Sequence, residues 1–166
     1  MSAQAHPKLA LRPFLPADAP LLAEIFRESI SELTGDDYSE AQQEAWAATA
    51  DDDAFAAKLA GQLTLVATLG GSPVGFAALE GKDKIGMLYV HPAVAGQGAA
   101  AMLIDALEKL ASSRGATKLT VEASDTAYGF FAKRGYAAQQ RNSVSAGGEW
   151  LANTTMQKQL APREPS

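Results

Sequence analysis

Apolar residues recur with two different spacings along the chain, and the change of spacing marks the predicted elements. An apolar run at 9–15 predicts a strand. A helical spacing follows from Asp18, which we expect to cap the helix, to a stop at Thr34. A second helix is predicted from Ser39, which forms a capping-box pattern with Gln42, and a short third helix follows an acidic break. The apolar residues on these helical faces are Leu22, Ile25, Phe26, Ile30, Leu33, Phe55 and Leu59.

The rest of the chain alternates between strands and helices. Strands are predicted at 63–69, 74–79, 84–90 and 118–123, and as a final hairpin at 136–145 and 149–160. Helices are predicted from Gly98 to Gly115 and from about Asp125 to Gly135, and each ends in a glycine suited to a left-handed cap. We expect a loose tail at 161–166, which carries two prolines. The order indicates a single α/β domain of the α+β type over residues 1–160.

Composition narrows the classes of function. The net charge is −5 and the chain has no dense basic run, which argues against nucleic-acid binding. The absence of cysteine excludes thiol nucleophiles and disulfides, and two histidines are too few for a closed metal site. No run approaches the roughly 20 apolar residues of a membrane span, and the first residues lack the apolar core of a signal peptide. We therefore expect a cytoplasmic protein with no metal, nucleic-acid or membrane partner.

A glycine-containing junction between a strand and a helix is the main functional feature. Pro92 should end the strand near His91, because proline has no amide hydrogen to give to a sheet. The following helix start exposes unpaired N–H groups, and Gly96 and Gly98 let an anion approach the backbone without meeting a Cβ. The spacing fits neither a P-loop, which needs Gly-Lys-Ser or Gly-Lys-Thr, nor a Rossmann loop, whose third glycine is replaced by Ala101. The alternative is a tight turn that binds no ligand.

This junction resembles the coenzyme A loop of the GNAT superfamily of N-acetyltransferases. Tyr89-Val90-His91-Pro92 precedes Ala95-Gly96-Gln97-Gly98-Ala99-Ala100, in which Gly98 and Ala100 match the family motif and Ala95 replaces its usual Arg or Gln. A second family motif, an aromatic pair, three residues, Gly and an aromatic, is matched by Phe130-Phe131-Ala132-Lys133-Arg134-Gly135-Tyr136. The resemblance covers nearly the whole chain. It implies the GNAT fold, a mixed and mostly antiparallel sheet of six to seven strands with a central splay, flanked by helices.

The resemblance also implies acetyl-CoA as the cofactor. The strand ending at Val90 should splay from the strand ending at Ala123, so that the pantetheine arm pairs with the free edge and the Val90 amide donates to the thioester oxygen. Ser124 and Asp125 stand where the family often has an Asn that contacts the cofactor. The predicted cofactor-binding residues are Leu88, Tyr89, Val90, Ala95, Gly96, Gln97, Gly98, Ala99, Ala100, Ser124, Ala127, Phe130 and Phe131.

Two carboxylates are candidates for the base that removes a proton from the acceptor amine, whose pKa is about 10. Glu122 is the first, because it alternates with apolar residues near the end of the strand that borders the splay, and Glu80 is the second. Either is alternatively a solvated or ion-paired carboxylate. Phe131 stands where the family usually has a tyrosine that acts as general acid. Tyr128, one helical turn earlier, is a candidate acid or a packing contact, and a thiolate with a pKa of about 8.5 can also leave unassisted.

The predicted acceptor is a primary amine of a small molecule. Its predicted binding residues, in the first helices, the central sheet and the last hairpin, are Phe26, Tyr38, Trp46, Glu80 and Asn153. Phe26 and Trp46 are alternatively core residues, and Asn153 alternatively pins the hairpin. Two other functions stay open: a non-catalytic acyl-CoA sensor or partner-binding subunit, favoured by Phe131 and Ala95, and a peptide or protein N-acetyltransferase. Exposed apolar residues on the last strands would favour a homodimer.

Overall fold

The computed structural model describes residues 8–160, and its elements follow the predicted order. The strands are β1 (Leu9–Pro13), β2 (Leu63–Leu69), β3 (Ser72–Glu80), β4 (Lys84–Val90), β5 (Lys118–Ser124), β6 (Ala137–Ala146) and β7 (Glu149–Gln159). The helices are α1 (Ala19–Leu33), α2 (Glu40–Ala47), α3 (Asp53–Gly61), α4 (Ala99–Ser113) and α5 (Tyr128–Lys133). The tail predicted at 161–166 lies outside the described residues.

All seven strands form one sheet in the order β1-β2-β3-β4-β5-β7-β6. Every neighbouring pair is antiparallel except β4 and β5, which are parallel. The predicted mixed, mostly antiparallel sheet is therefore confirmed. The final hairpin joins the sheet through its second strand, so β7 lies between β5 and β6.

The predicted splay lies between β4 and β5. These strands pair only at Lys84 with Thr120 and at Ile85 with Val121. Beyond that point β4 continues to pair with β3 as far as Val90, and β5 continues to pair with β7 as far as Ser124. Each strand therefore keeps one free edge, and the two free edges face each other across a gap in the middle of the sheet.

Separate apolar clusters cover the two faces of the sheet. On one face α4 and α5 pack through residues such as Leu103, Leu107 and Phe131, which are 0 to 2% exposed. On the other face α1 and α3 pack through residues such as Ile25 and Leu59. None of the helices in the described chain has both the length and the apolarity needed to cross a membrane.

Two helix starts differ from the sequence prediction. Asp18 does not cap α1 with its side chain; its carboxylate instead accepts hydrogen bonds from the Arg12 guanidinium and the Leu15 N–H, at 2.8 Å each, and closes a 3-10 turn. Helix α5 begins at Tyr128 rather than near Asp125, because a turn precedes it. The capping box of Ser39 with Gln42 at the start of α2 is confirmed.

Candidate active site

The loop between β4 and α4 presents a set of unpaired amides. Gly96 and Gly98 have φ angles of 80° and 95°, and within residues 8–160 no other group lies within 4 Å of where a Cβ would stand on either. Within residues 8–160, the N–H groups of Gly96, Gly98, Ala99 and Ala100 have no hydrogen-bond acceptor. These amides lie at the positive end of the 15-residue helix α4. The loop is therefore suited to hold an anion such as a pyrophosphate.

The His91 side chain contacts both the start of this loop and helix α1. Its Nδ1 accepts a hydrogen bond from the Ala93 N–H at 3.0 Å, and its Nε2 lies 2.5 Å from a carboxylate oxygen of Glu28 on α1. Because Nδ1 is an acceptor, a neutral His91 carries its proton on Nε2, the nitrogen next to Glu28. The ring thus fixes the 3-10 turn that leads from β4 into the loop, and both of its nitrogens are used in doing so.

The register of β4 determines which backbone groups face the splay. The His91 N–H donates to the Val74 carbonyl on β3 at 2.7 Å. Because successive strand residues direct their backbone groups to opposite edges, Tyr89 also faces β3, while Leu88 and Val90 face the open gap. Of the three residues predicted to hold pantetheine through the backbone, Leu88 and Val90 thus have groups free to do so. Tyr89 contributes its side chain to the α1 face instead.

A cavity of about 510 Å³ opens at the splay and is lined by residues of both apolar clusters. Its aromatic wall includes Phe26, whose ring centroid lies 4.5 Å from that of Tyr89, and Tyr38, which lies 5.3 Å from Trp46. All five residues predicted to bind the acceptor line this cavity. Other predicted site residues in its lining are Leu88, Tyr89, Glu122, Ser124, Ala127 and Phe131, whereas Val90, Tyr128, Phe130 and the loop residues 95–100 lie outside it.

The fold holds the hydroxyl of Tyr38, and both phenols of this wall have raised pKa values. The Tyr38 hydroxyl donates to the Ala152 carbonyl at 2.6 Å and accepts from the Asp125 N–H at 2.9 Å, so Tyr38 offers the cavity its ring rather than a free donor. Burial raises the pKa of Tyr38. Burial also raises the pKa of Tyr89 to about 12, against an opposing effect of the Trp46 side chain. Both phenols therefore stay neutral at physiological pH.

The polar end of the cavity contains charged residues of both signs. The Lys84 ammonium lies 3.4 Å from Glu122 and 3.7 Å from Glu80, so the two candidate bases share one cation. Lys58 also lines this cavity, and two lysines therefore balance two glutamates. Lys58, Lys84 and Gln62 were not among the predicted site residues. The i,i+4 spacing of Glu80 and Lys84 was visible in the sequence, but the contact with Glu122 depends on the β4–β5 register.

The three aromatic side chains of α5, which carries the second family motif, lie in different surroundings. Phe131 is 2% exposed and its ring lines the cavity, where it has no proton to give. Tyr128 is 39% exposed and lies outside the cavity lining. Phe130 packs edge-to-face on Phe131 and beneath the Arg134 guanidinium. Among the residues of this helix, none that reaches the cavity carries an ionisable group.

The sequence and fold match known proteins. The model of the acetyltransferase (GNAT) domain matches residues 34–160. The uncharacterized N-acetyltransferase YafP of Escherichia coli K12 is 32% identical over 148 residues, which cover 89% of this chain and 94% of YafP. A GCN5-related N-acetyltransferase from Rhodopseudomonas palustris is 64% identical, with a TM-score of 0.91 over 96% of this chain and 100% of that one. The PaiA N-acetyltransferase from Thermoplasma acidophilum, solved with coenzyme A, is 18% identical with a TM-score of 0.75 over 92% and 99% of the two chains. The chain therefore belongs to the GNAT superfamily of N-acetyltransferases.

Proposed function

We propose that the protein is an acetyl-CoA-dependent N-acetyltransferase that acetylates a primary amine of a small molecule by direct attack in a ternary complex. The observation that carries this proposal is the meeting of three features at the β4–β5 splay. A loop of free amides and a free strand edge lie next to the cavity at the splay. A cofactor held by the loop and threaded along the strand would deliver its thioester to that cavity.

The residues present fit such a cofactor. The amides of Gly96, Gly98, Ala99 and Ala100 match the oxygens of a pyrophosphate, and the two glycines leave the approach clear. The free backbone groups of β4 match the amides of a pantetheine arm, which would add to the strand edge like a further strand. Ala95 offers no side-chain contact, so binding would depend on the backbone.

Bound acetyl-CoA supplies the activated acetyl group, and the chain supplies orientation and proton transfer. The Val90 amide is the proposed donor to the thioester oxygen, and the Leu88 amide is the other donor on the free edge. Glu122 is the proposed base. Its Oε1 faces Lys84, and its Oε2, which has no partner within residues 8–160, would take the proton of the amine directly or through a water.

Loss of the leaving group would proceed without a side-chain acid in the position of Phe131. A positioned general acid typically contributes about 10² to 10⁴ in rate, so this enzyme would be slow for its family rather than inactive. The alternative, a non-catalytic acyl-CoA sensor, is supported by Phe131 and by Ala95. We favour the enzyme because the candidate base faces the same cavity as the aromatic wall.

The net charge of the cavity lining indicates how many charges a favoured acceptor carries. Two lysines and two glutamates line it, so their charges cancel. A lining without net charge favours an amine with few charges and an apolar body over a polycationic peptide, which would need an acidic groove. The aromatic wall of Phe26, Trp46 and Tyr89 would pack against that apolar body.

The test is thiol release from acetyl-CoA across a panel of small amines and basic peptides, together with calorimetric titration of coenzyme A. We expect binding, turnover on a small amine, and a loss of about 100-fold or more in kcat in Glu122→Gln. Glu32→Gln, an exposed change on α1 outside the cavity, is the matched control. Tight binding without turnover on any acceptor would establish the sensor instead. No binding would refute the cofactor site.

A further inference from the structure

One side of helix α3 forms a wall of the cavity. Ala54, Lys58 and Gln62 line the cavity, and residues spaced by four lie on the same side of a helix. Gln62 follows α3 directly, and its N–H donates to the Lys58 carbonyl at 3.1 Å. Its carboxamide packs against Gly86 of β4, where a Cβ would lie 2.5 Å from Oε1. Lys58 therefore stands one helical turn from a direct contact between this wall and the sheet.

The contacts of α3 place Lys58 along strand β4. Phe55, at the start of α3, packs edge-to-face on Phe76 of β3, and Phe76 pairs with Tyr89 of β4. Gln62, at the end of α3, meets β4 three residues before Tyr89. Lys58 lies between Phe55 and Gln62 in the helix, so it lies beside the same stretch of β4. That stretch follows the last residue of β4 that pairs with β5, and it borders the open gap.

Lys58 is a cation that the fold does not neutralise. Its ammonium forms no ion pair and no hydrogen bond within residues 8–160. Lys84, in contrast, lies within reach of both Glu122 and Glu80. Lys58 is also exposed, so a ligand can reach its ammonium without a change in the fold. The cavity thus has an acidic end on the sheet, where two carboxylates share one lysine, and a basic side on α3.

We propose that Lys58 determines acceptor specificity by binding a carboxylate of the acceptor, so that the acceptor class is amino acids. This inference rests on the proposed function. The amine of such a zwitterion would lie at the acidic end, next to Glu122, while its carboxylate pairs with Lys58 on the opposite wall. A zwitterion has no net charge, which agrees with a lining whose charges cancel. Its apolar part would pack on the aromatic wall.

The test compares amino acids with their primary carboxamides, which keep the shape and remove the negative charge. The series includes α-amino acids and ω-amino acids of increasing chain length. Each compound is titrated calorimetrically against the coenzyme A complex of the wild type, Lys58→Met, Lys58→Arg and Lys109→Met. Lys109 is an exposed lysine of α4 outside the cavity, so Lys109→Met is the matched control. Because the ratio of acid to amide affinity is compared between proteins, any difference in amine pKa cancels.

We expect the wild type to favour the acid about 3- to 10-fold at the best chain length, and this ratio to fall as salt is added. Lys58→Met should lose the preference, while Lys58→Arg, which keeps the charge, and Lys109→Met should retain it. The Kd of coenzyme A itself should be the same in all four proteins.

Three results would overturn the inference. They are a wild type without preference for the acid at any chain length, an equal ratio in the wild type and Lys58→Met, and a weaker coenzyme A Kd in Lys58→Met. The last result would place Lys58 at the cofactor instead of the acceptor. Because these affinities are measured without turnover, a failure to acetylate any amine would refute the proposed reaction and leave the acceptor site as measured.

Discussion

Replacing Gly98 with alanine tests whether the loop amides hold the cofactor. Gly98 caps α4 with φ 95° and ψ 0°, a left-handed conformation that costs a residue with a Cβ about 1–2 kcal/mol. No other group of the described chain lies within 4 Å of the new Cβ, so the cost comes from the backbone alone. Gly71, in the turn between β2 and β3, has φ 87° and equally open surroundings. Each alanine variant would therefore carry a similar strain if it kept the wild-type backbone conformation.

Their effects on cofactor binding should differ. Alanine at position 98 favours loop conformations in which the amides of Gly98, Ala99 and Ala100 no longer converge. Binding must restore the converged conformation, so the strain of about 1–2 kcal/mol reappears as a roughly 5- to 30-fold weaker Kd. Gly71 lies in a different turn, and Gly71→Ala should leave the Kd unchanged.

Calorimetric titration of coenzyme A and thermal melts of both variants measure these two quantities. We expect a weaker Kd in Gly98→Ala alone, and a smaller loss of melting temperature in Gly98→Ala than in Gly71→Ala, because the strain that the free loop relieves reappears only on binding. Equal Kd values in Gly98→Ala and Gly71→Ala, with a smaller loss of melting temperature in Gly98→Ala, would refute the reasoning. The pyrophosphate would then have to be held elsewhere.

Three further predictions concern the framework of the site. Tyr38→Phe leaves the Ala152 carbonyl and the Asp125 N–H without their partner. It should therefore lower the unfolding free energy by about 1–3 kcal/mol, as measured by denaturant unfolding. Because Ser124 and Asp125 are at a predicted cofactor contact, it should also raise the KM for acetyl-CoA, as measured by steady-state kinetics. Hydrogen bonds from Arg12 lower the pKa of Asp18, so its stabilisation is present at neutral pH and is lost as pH falls below about 3.9, the unfolded value. Asp18→Asn should therefore be less stable than the wild type at pH 7, with the difference shrinking in acid; a constant difference would contradict this. Leu107→Ala, at a position with 0% exposure, should lose about 2–5 kcal/mol in urea unfolding.

Local features made much of the fold predictable from the sequence. Strand β4 and helix α4 were predicted within a residue or two, because Pro92 ends the strand and Gly98 and Gly115 take the positive φ angles found at the two ends of the helix. The capping box of Ser39 is equally local. The order of elements then sufficed, with the family resemblance, to predict one mostly antiparallel sheet with a splay.

Contacts with groups outside the helices explain the failures. Asp18 was expected to cap α1, but Arg12 on β1 and the Leu15 amide bind its carboxylate more completely than a helix end would. The late start of α5 has a similar cause, since the Tyr38 hydroxyl holds the Asp125 amide in a turn. The Tyr38–Asp125 contact joins groups 87 residues apart, so it is not identifiable without the packing of the first helices against the sheet.

The two halves of the candidate site differ in what the sequence reveals. The loop between β4 and α4 would bind an anion through its backbone amides. Such a loop can be predicted from the sequence, because the glycine spacing that it needs is local. The acceptor end is built from side chains that meet through strand register, as Lys84 meets Glu122, and through a missing Cβ, as Gln62 meets Gly86. A lone glycine inside a predicted strand was the available sign of that second contact, because such a glycine often marks a close approach by another group. It follows that acceptor specificity in such a fold can change with a few side chains around β4, while the loop that would bind the cofactor stays the same.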